Sequence, residues 1–454
     1  MYETKSTREK FRLFIFIMMP ILITQFGLFG MNLVDTMMSG RAGASELAGV
    51  AIGSSIWLPV STGIMGIMMA LPPILSQHIG AKEEDVVSMK VIQGAYLAVA
   101  LSLVILAAGA FTLNPIIGLM ELEPQVAQVA KHYLIGLSFG ILPLFIQQAL
   151  RGFIDSLGHT RVTMVITLLA LPVNVVLNYV LIFGHFGFPE LGGIGAGYAS
   201  AVTYWFILFI TIYFVAKVTP FREYRIFRTS YRVLPGIWKE ILFIGLPIGC
   251  TIFFETSIFA AVTLLMSEFS TAVIAAHQAA LNFASLLYML PLSIAFALTI
   301  VVGHEVGAGR YSHARSYAKL GMLTALAMGV AASIIIYATR GPVIFLYTTD
   351  STVAEWMNVF LIYAIFFQLS DAIATPIQGI LRGHKDVNIP FLYAFIAFWI
   401  IGLPLGIVLA RFSALGPFGY WVGLIAALAV IASTLAVRLR NIQNKKEKLH
   451  PERV

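Results

Sequence analysis

Long apolar runs alternate along the chain with short polar segments. Residues 47–81, 91–120, 162–183 and 191–216 contain no Asp, Glu, Lys or Arg. Each exceeds the roughly 20 residues that a helix needs to cross the hydrocarbon core of a bilayer. Strands of a transmembrane barrel would alternate apolar and polar positions over about 10 residues, whereas these runs stay apolar throughout. Because backbone polar groups in lipid must be bonded internally, helices are the remaining solution. Gly and Pro punctuation and charged separators predict twelve spans. They fall at residues 11–38, 47–77, 89–113, 126–151, 161–183, 192–216, 238–266, 271–302, 317–338, 352–381, 388–410 and 416–439. The expected fold class is all-α, a polytopic membrane protein of two pseudo-symmetric six-helix lobes. The lobes are read as residues 1–216 and 241–440, joined by a polar linker at 217–240 and followed by a tail at 441–454.

Composition agrees with the pattern. Of 454 residues, 59% are hydrophobic and 11% charged, with mean hydropathy +0.88, against about 25% charged residues in an ordinary soluble domain. The net charge of +7 does not point to nucleic acid, because the basic residues sit in short segments between spans. Twelve spans put 25 of the 29 Lys and Arg on one side, leaving Arg41, Lys131, Arg340 and Arg411 on the other. The positive-inside bias then predicts that both termini and the linker are cytoplasmic. Lys5, Arg8, Lys10 and Arg12 precede an apolar run at 13–34, which is long and lacks a small-residue cleavage site. It is read as the first span rather than a signal peptide. The single Cys250 offers neither a disulfide framework nor a cysteine metal site.

The two halves resemble each other. Pro20 and Pro247, Ala48 and Ala275, and Gly80-Ala81 and Gly307-Ala308 match at an offset of 227. Gly158-His159 matches Gly383-His384 at 225, and Leu191-Gly192 matches Leu415-Gly416 at 224. An even number of spans keeps the copies in one orientation, so this is a parallel duplication of the kind on which many transporters are built.

Asp35 lies late in the first predicted span, Glu255 midway along the seventh and Asp371 two-thirds along the tenth. A charge at membrane depth costs about 2.5–3.5 kcal/mol on insertion scales, so such residues face a cavity or a partner and mark an ion or substrate route. No basic residue falls within the membrane interior of these spans as assigned. Acids without basic partners suit binding of Na⁺ through oxygen ligands, or of H⁺ after desolvation. Both tasks also suit competition with a cationic substrate. Phe253, Tyr288 and Phe367 stand near the acids and could add cation–π contacts or simply pack. Asn174 and Asn178 share one face of the fifth span beside Pro172, either as ion ligands or as interhelical hydrogen-bonding groups. Gln278 and Asn282 are candidate path residues in the eighth span, beside His277, for which packing is the plainer reading. The chain has no Gly-rich loop with a Lys-Ser/Thr ending, and His304-Glu305 lacks the second His of a helical zinc site. Neither ATP drive nor enzymatic chemistry is expected.

Several segments carry a resemblance to a known family. NLVDTMMSG at 32–40, LAGVAIGSSIWLP at 47–59, PELGGIG at 189–195, FFET at 253–256, AAHQAALNFAS at 275–285 and LRGHKD at 381–386 together resemble the multidrug and toxic compound extrusion (MATE) family, NorM-type branch. The resemblance spans both halves. It implies two six-helix lobes, alternating access, and export of cationic drugs and dyes in exchange for Na⁺ or H⁺. Glu255 and Asp371 match the family's carboxylates of the C-terminal lobe; Asp35, Asn174 and Asn178 match the polar cluster of the N-terminal lobe. Some members have a Tyr one turn before the tenth-span Asp, where this chain has Phe367. The expected function is therefore secondary active efflux of small organic cations by a monomer in a bacterial plasma membrane. No cofactor is expected besides the coupling ion, Na⁺ or H⁺, for which Glu255 and Asp371 are candidate Na⁺ ligands. The alternative is a flippase for a lipid-linked precursor, whose phosphate would favour interior arginines.

Overall fold

The computed structural model describes residues 4–228 and 231–449. Fifteen α-helices follow one another with no strand among the described residues: α1 (Thr7–Ala42), α2 (Ala44–Met68), α3 (Leu71–Gly80), α4 (Glu84–Leu119), α5 (Pro124–Ser138), α6 (Ile141–Ser156), α7 (Thr160–Phe183), α8 (Gly193–Lys217), α9 (Pro235–Leu265), α10 (Thr271–Gly307), α11 (Tyr311–Tyr347), α12 (Ser351–Gly383), α13 (Asn388–Phe395), α14 (Leu403–Phe412) and α15 (Phe418–Leu449). Eleven helices, with α2–α3 and α13–α14 each counted as one, are long and apolar enough to cross a membrane, and the bent pair α5–α6 makes a twelfth. Large apolar side chains such as Phe111, Leu346 and Phe412 remain over four-fifths exposed. Lipid, rather than water, is the medium that such a surface suits.

Helix limits follow local chemistry. Asp350 caps α12 by accepting from the amides of Thr352 at 2.8 Å and Val353 at 3.3 Å, which satisfies two donors that have no partner within the helix. Gly184 ends α7 in the left-handed region, at φ 70° and ψ 37°, a conformation that costs glycine little. The 47° bend between α5 and α6 follows from Pro143, which has no N–H for the carbonyl of Phe139. The Trp205 indole N–H of α8 donates to that carbonyl instead, at 3.0 Å. Near Pro404 the chain widens into a π-turn at Ile396–Gly402, and the Trp399 indole donates to the Phe254 carbonyl at 3.3 Å.

By internal contacts the chain forms two units, Ile23–Gly249 and Met1–Leu22 with Cys250–Val454. These boundaries differ from the linker boundary read from sequence: they cut α1 and α9. They fall three residues after Pro20 and Pro247, at Ile23 and Cys250, and 250 − 23 is 227, the offset of the duplication. Prolines inside α1 and α9 each remove one helical hydrogen bond, so the change of unit coincides with the weakest point of each backbone ladder. The linker itself is strapped to the unit of residues 23–249. Gln93 of α4, fully buried, donates to the Arg232 carbonyl at 2.7 Å and accepts from the Leu234 amide at 3.0 Å. Lys90 pairs with Glu240 at 2.6 Å, and the ring of Phe153 meets those of Phe221 and Tyr224.

In the other unit, Trp421, Phe360, Phe398 and Tyr317 fill a continuous core shared by α9–α15 and the first turns of α1. Its tightest crossing joins α10 and α12, where a Cβ on Gly379 would run into the Ala295 carbonyl oxygen. Thr299 of α10 donates to the Gly379 carbonyl at 2.9 Å. Backbones this close exclude any larger residue, as small residues do at membrane helix crossings generally. Gly379→Leu is therefore expected to cost about 1–3 kcal/mol, the range for overpacking, and to lower the thermal midpoint of the detergent-purified protein. Gly236→Ala, where nothing lies within 4 Å of the new methyl, should leave it unchanged. Equal midpoints for the two variants would contradict this account of the crossing.

Candidate functional site

Two polar clusters lie within the helices, one in each unit. In the unit of residues 23–249, α1 brings Asp35, α7 brings Asn174 and Asn178, and α8 brings Ser200. The Asn178 side-chain amide donates to Asp35 Oδ1 at 2.6 Å and to Asn174 Oδ1 at 3.2 Å. The Ser200 hydroxyl donates to Asp35 Oδ2 at 3.0 Å. The two asparagines are buried, and Asp35 is half-buried. With its amide hydrogens committed, Asn178 keeps a buried Oδ1 without a partner. The cluster is thus rich in acceptors, the composition that receives a proton or a small cation. The four-residue spacing of Asn174 and Asn178 does place them on one face. Their mutual bond serves a structural purpose as well as supplying oxygens.

The second cluster is built on α12 with contributions from α9 and α10. Asp371, Thr375, Gln378 and Arg382 recur at intervals of four, three and four residues, one stripe of a helix. The Thr375 hydroxyl donates to Asp371 Oδ1 at 2.6 Å. Gln378 donates to Glu255 Oε1 of α9 at 2.8 Å. Arg382 donates to Gln378 Oε1 at 3.3 Å, with its guanidinium in electrostatic range of Glu255. Tyr288 of α10 lies at Thr375 and within range of both carboxylates. Asp371 is buried, and its Oδ2 has no hydrogen-bond partner among the described residues.

Arg382 falls one residue beyond the predicted end of the tenth span at 381. α12 runs on to Gly383, so Arg382 is a buried residue of the same helix, 8% exposed, and belongs to the Glu255 site. Two further buried carboxylates also lay past the predicted span ends. Asp155 of α6 pairs with Arg151 at 3.3 Å, and Glu305 of α10 pairs with Arg310 at 2.6 Å. Hydropathy trims each span to its apolar stretch, while the helices continue beyond it. Ser200, Thr375 and Gln378 were also missed. The stripe on α12 was legible as periodic polar positions in an apolar run, whereas Ser200 carries no such signal.

Of the path candidates, Tyr288 joins the carboxylate cluster. Phe367 does not reach an open surface: it packs edge-on against Phe259 at 5.8 Å and Trp421 at 6.2 Å in the core. Phe253 is exposed beside Phe254. Gln278 donates to the Thr263 hydroxyl at 3.2 Å, and Asn282 accepts from the Tyr347 hydroxyl at 2.8 Å. Both lie apart from the bonds of the Glu255–Asp371 cluster. His277 is fully buried and structural. Trp421 Nε1–H can only donate, so His277 Nδ1 accepts it at 3.0 Å, which leaves Nε2–H for the Thr263 hydroxyl at 3.2 Å. No group of three or more His, Cys, Asp or Glu with metal-binding geometry occurs among the described residues. An ion at Glu255 and Asp371 would therefore draw on hydroxyl and amide oxygens as well.

Comparison with known proteins gives the arrangement a family. The MatE family model matches residues 20–180 and again residues 247–408, two copies whose starts lie 247 − 20 = 227 residues apart. A protein of Halalkalibacterium halodurans named "Probable multidrug resistance protein NorM" is 61% identical over 448 residues, covering 99% of this chain and 98% of the relative. The Bacillus subtilis protein of the same name is 53% identical over 445 residues, covering 98% of each. Among solved structures, the eukaryotic MATE transporter AtDTX14 superposes with a TM-score of 0.85 at 20% identity, over 97% of this chain and 99% of that one. The Vibrio cholerae MATE transporter VcmN in its bent form gives 0.86 at 17% identity, over 97% and 98%. The structural likeness concerns the fold, which is that of MATE transporters; the family model and the high-identity relatives place the sequence itself. This chain belongs to the MatE family of multidrug and toxic compound extrusion transporters, in its NorM branch, and is a membrane transporter rather than an enzyme.

Proposed function

We propose that the chain exports amphipathic organic cations in exchange for Na⁺ or H⁺, by alternating access. In this reading it acts as a monomer in a bacterial plasma membrane, with its termini cytoplasmic. The observation that carries the reading is the buried, unpartnered Oδ2 of Asp371 beside Glu255. An ionised carboxylate oxygen withdrawn from water without a partner is costly, so a proton or a cation completes it. Thr375 holds the opposite oxygen and thereby orients the vacant one. Gln378 and Arg382 hold Glu255, and the Tyr288 hydroxyl adds an oxygen at the same place. Close relatives bear the name of multidrug resistance proteins, which supports organic compounds as the other cargo.

Exchange follows when ion and organic cation cannot both neutralise the same acids. The ion favours one access state and its departure favours the other, so the two ligands are coupled through the equilibrium of states. Asp35 with its asparagines offers a second acceptor-rich group by which the same competition can be relayed or shared. A flippase for a lipid-linked precursor would need a buried cation available to a phosphate. Arg382 is bonded to Gln378 within range of Glu255, an arrangement that favours cation exchange over phosphate binding.

Asp371→Asn and Glu255→Gln should each lower the efflux of a fluorescent organic cation by roughly 5- to 150-fold, the span of a coupling energy of 1–3 kcal/mol. Membrane insertion should be unchanged. Wild-type efflux in both variants would remove the assignment. The ion is decided by purified protein in liposomes. Transport driven by an imposed Na⁺ gradient without a pH difference identifies Na⁺, and transport driven only by a pH difference identifies H⁺. Transport indifferent to both gradients would contradict exchange.

A further inference from the structure

Gln378 serves two partners at once. Its amide nitrogen donates to Glu255 Oε1 at 2.8 Å, and its amide oxygen accepts from Arg382 Nη2 at 3.3 Å. A primary amide can do this because it carries donors and an acceptor on one group. Arg382 therefore acts on Glu255 through its charge, while the amide stands between them in the bonding. Other buried acids are met differently. Arg151 and Arg310 bond Asp155 and Glu305 directly, at 3.3 and 2.6 Å. A direct pair occupies the carboxylate, whereas the relayed one lends Glu255 a positive charge without taking an oxygen from it. Gln378 and Arg382 are buried, while Glu255 and Tyr288 are half-buried, so the acid is the reachable member of the chain.

Glu255 in turn acts on Asp371, so the cluster holds a pair of carboxylates and a single guanidinium. With both acids ionised, the formal sum is one negative charge. The Asp35 cluster reaches the same sum by another route. Its acid is bonded by Asn178 and Ser200, which are neutral. Arg382 has no counterpart in the first copy of the duplication, where offset 225 places Leu157. A lone acid in one unit is thus matched in the other by a pair of acids and a cation. Charges at these distances act strongly on one another where water is excluded, so the guanidinium decides how much positive charge the second cluster can take.

We propose that Arg382 is a specificity-determining residue: it cancels one of the acids of the Glu255–Asp371 cluster, so that the site takes a monocationic ligand in preference to a dicationic one. Arg382 acts through Gln378 and Glu255 rather than by contact with the ligand. A further positive charge on the ligand gains from the second acid only where the guanidinium is absent. The inference rests on the exchange reading above and deepens it by naming the charge class of the organic cargo.

Ethidium is a monocation, and propidium is the same phenanthridinium fluorophore with an added quaternary ammonium. Equilibrium binding of each dye to the purified full chain is followed by fluorescence anisotropy. Wild type should bind ethidium more tightly than propidium. Arg382→Gln should raise the propidium-to-ethidium affinity ratio about tenfold, the order given by one charge pair at about 12 Å and an effective dielectric of about 20. Arg382→Lys keeps the charge but not the planar fork, so it should retain the wild-type ratio if charge, rather than shape, is what matters. Glu255→Gln leaves the guanidinium uncompensated and should lose ethidium binding. Glu255→Gln/Arg382→Gln removes both charges, a less costly change than breaking a buried pair, and should regain it, which keeps the test in force if Arg382→Gln does not fold. Propidium bound as tightly as ethidium by wild type, an unchanged ratio in Arg382→Gln, or no recovery in the double variant would overturn the proposal. Ethidium binding absent from wild type, or equal in wild type and Glu255→Gln, would instead remove the exchange reading on which it rests.

Discussion

A carboxylate placed away from water must be met by a proton, a cation or a set of donors, and the interior of this protein is organised around that requirement. Asp155 and Glu305 meet it with fixed partners, Arg151 and Arg310, and are in that sense settled. Asp371 meets it only in part. Thr375 occupies one oxygen and the other faces no partner among the described residues. Asp35 is held by Asn178 and Ser200 while the same asparagine leaves an acceptor over. In the proposed exchange, the contrast between settled and unsettled acids divides scaffold from ion-binding residues where burial does not, since Asp155 and Asp371 are both buried.

The unsettled acids depend on packing for their geometry. Asp371, Thr375, Gln378 and Arg382 form one stripe of α12, and α12 is fixed against α10 by the backbone approach at Gly379 and the Thr299 bond. Tyr288 on α10 is brought to that stripe by the same crossing. Glu255 is steadied from its own helix as well, because Trp399 in the π-turn holds the carbonyl of the preceding Phe254. Pro143 leaves the Phe139 carbonyl to the Trp205 indole, and the π-turn sets the Trp399 indole on the Phe254 carbonyl. The duplication does not extend to the acids: Asp371 corresponds at offset 225 to Ile146, and Glu255 at offset 227 to Leu28. Two similar frames thus carry different polar equipment.

The twelve spans were legible because lipid allows only long apolar helices, so hydropathy reports them almost directly. Asp35, Glu255 and Asp371 were legible for the complementary reason, as charges where none should be. Arg382 escaped because an apolar window ends where polarity begins, whereas α12 continues for two residues past the predicted limit and stays buried there. The contact boundaries within α1 and α9 could not be read from composition, although the 227-residue offset that relates them was present in Pro20 and Pro247. Phe367 shows the limit of proximity arguments. One turn before Asp371 and on the same helix face, it packs against Phe259 and Trp421 rather than onto the carboxylates.

The central claim is that ion and organic cation compete for the acids around Asp371. It is tested most directly by equilibrium binding of a fluorescent organic cation to the purified protein, followed by fluorescence anisotropy. The account predicts that raising Na⁺, or lowering pH, weakens dye binding saturably in the wild type, and that Asp371→Asn abolishes this dependence. Dye binding insensitive to both ions, or an unchanged ion dependence in Asp371→Asn, would contradict it.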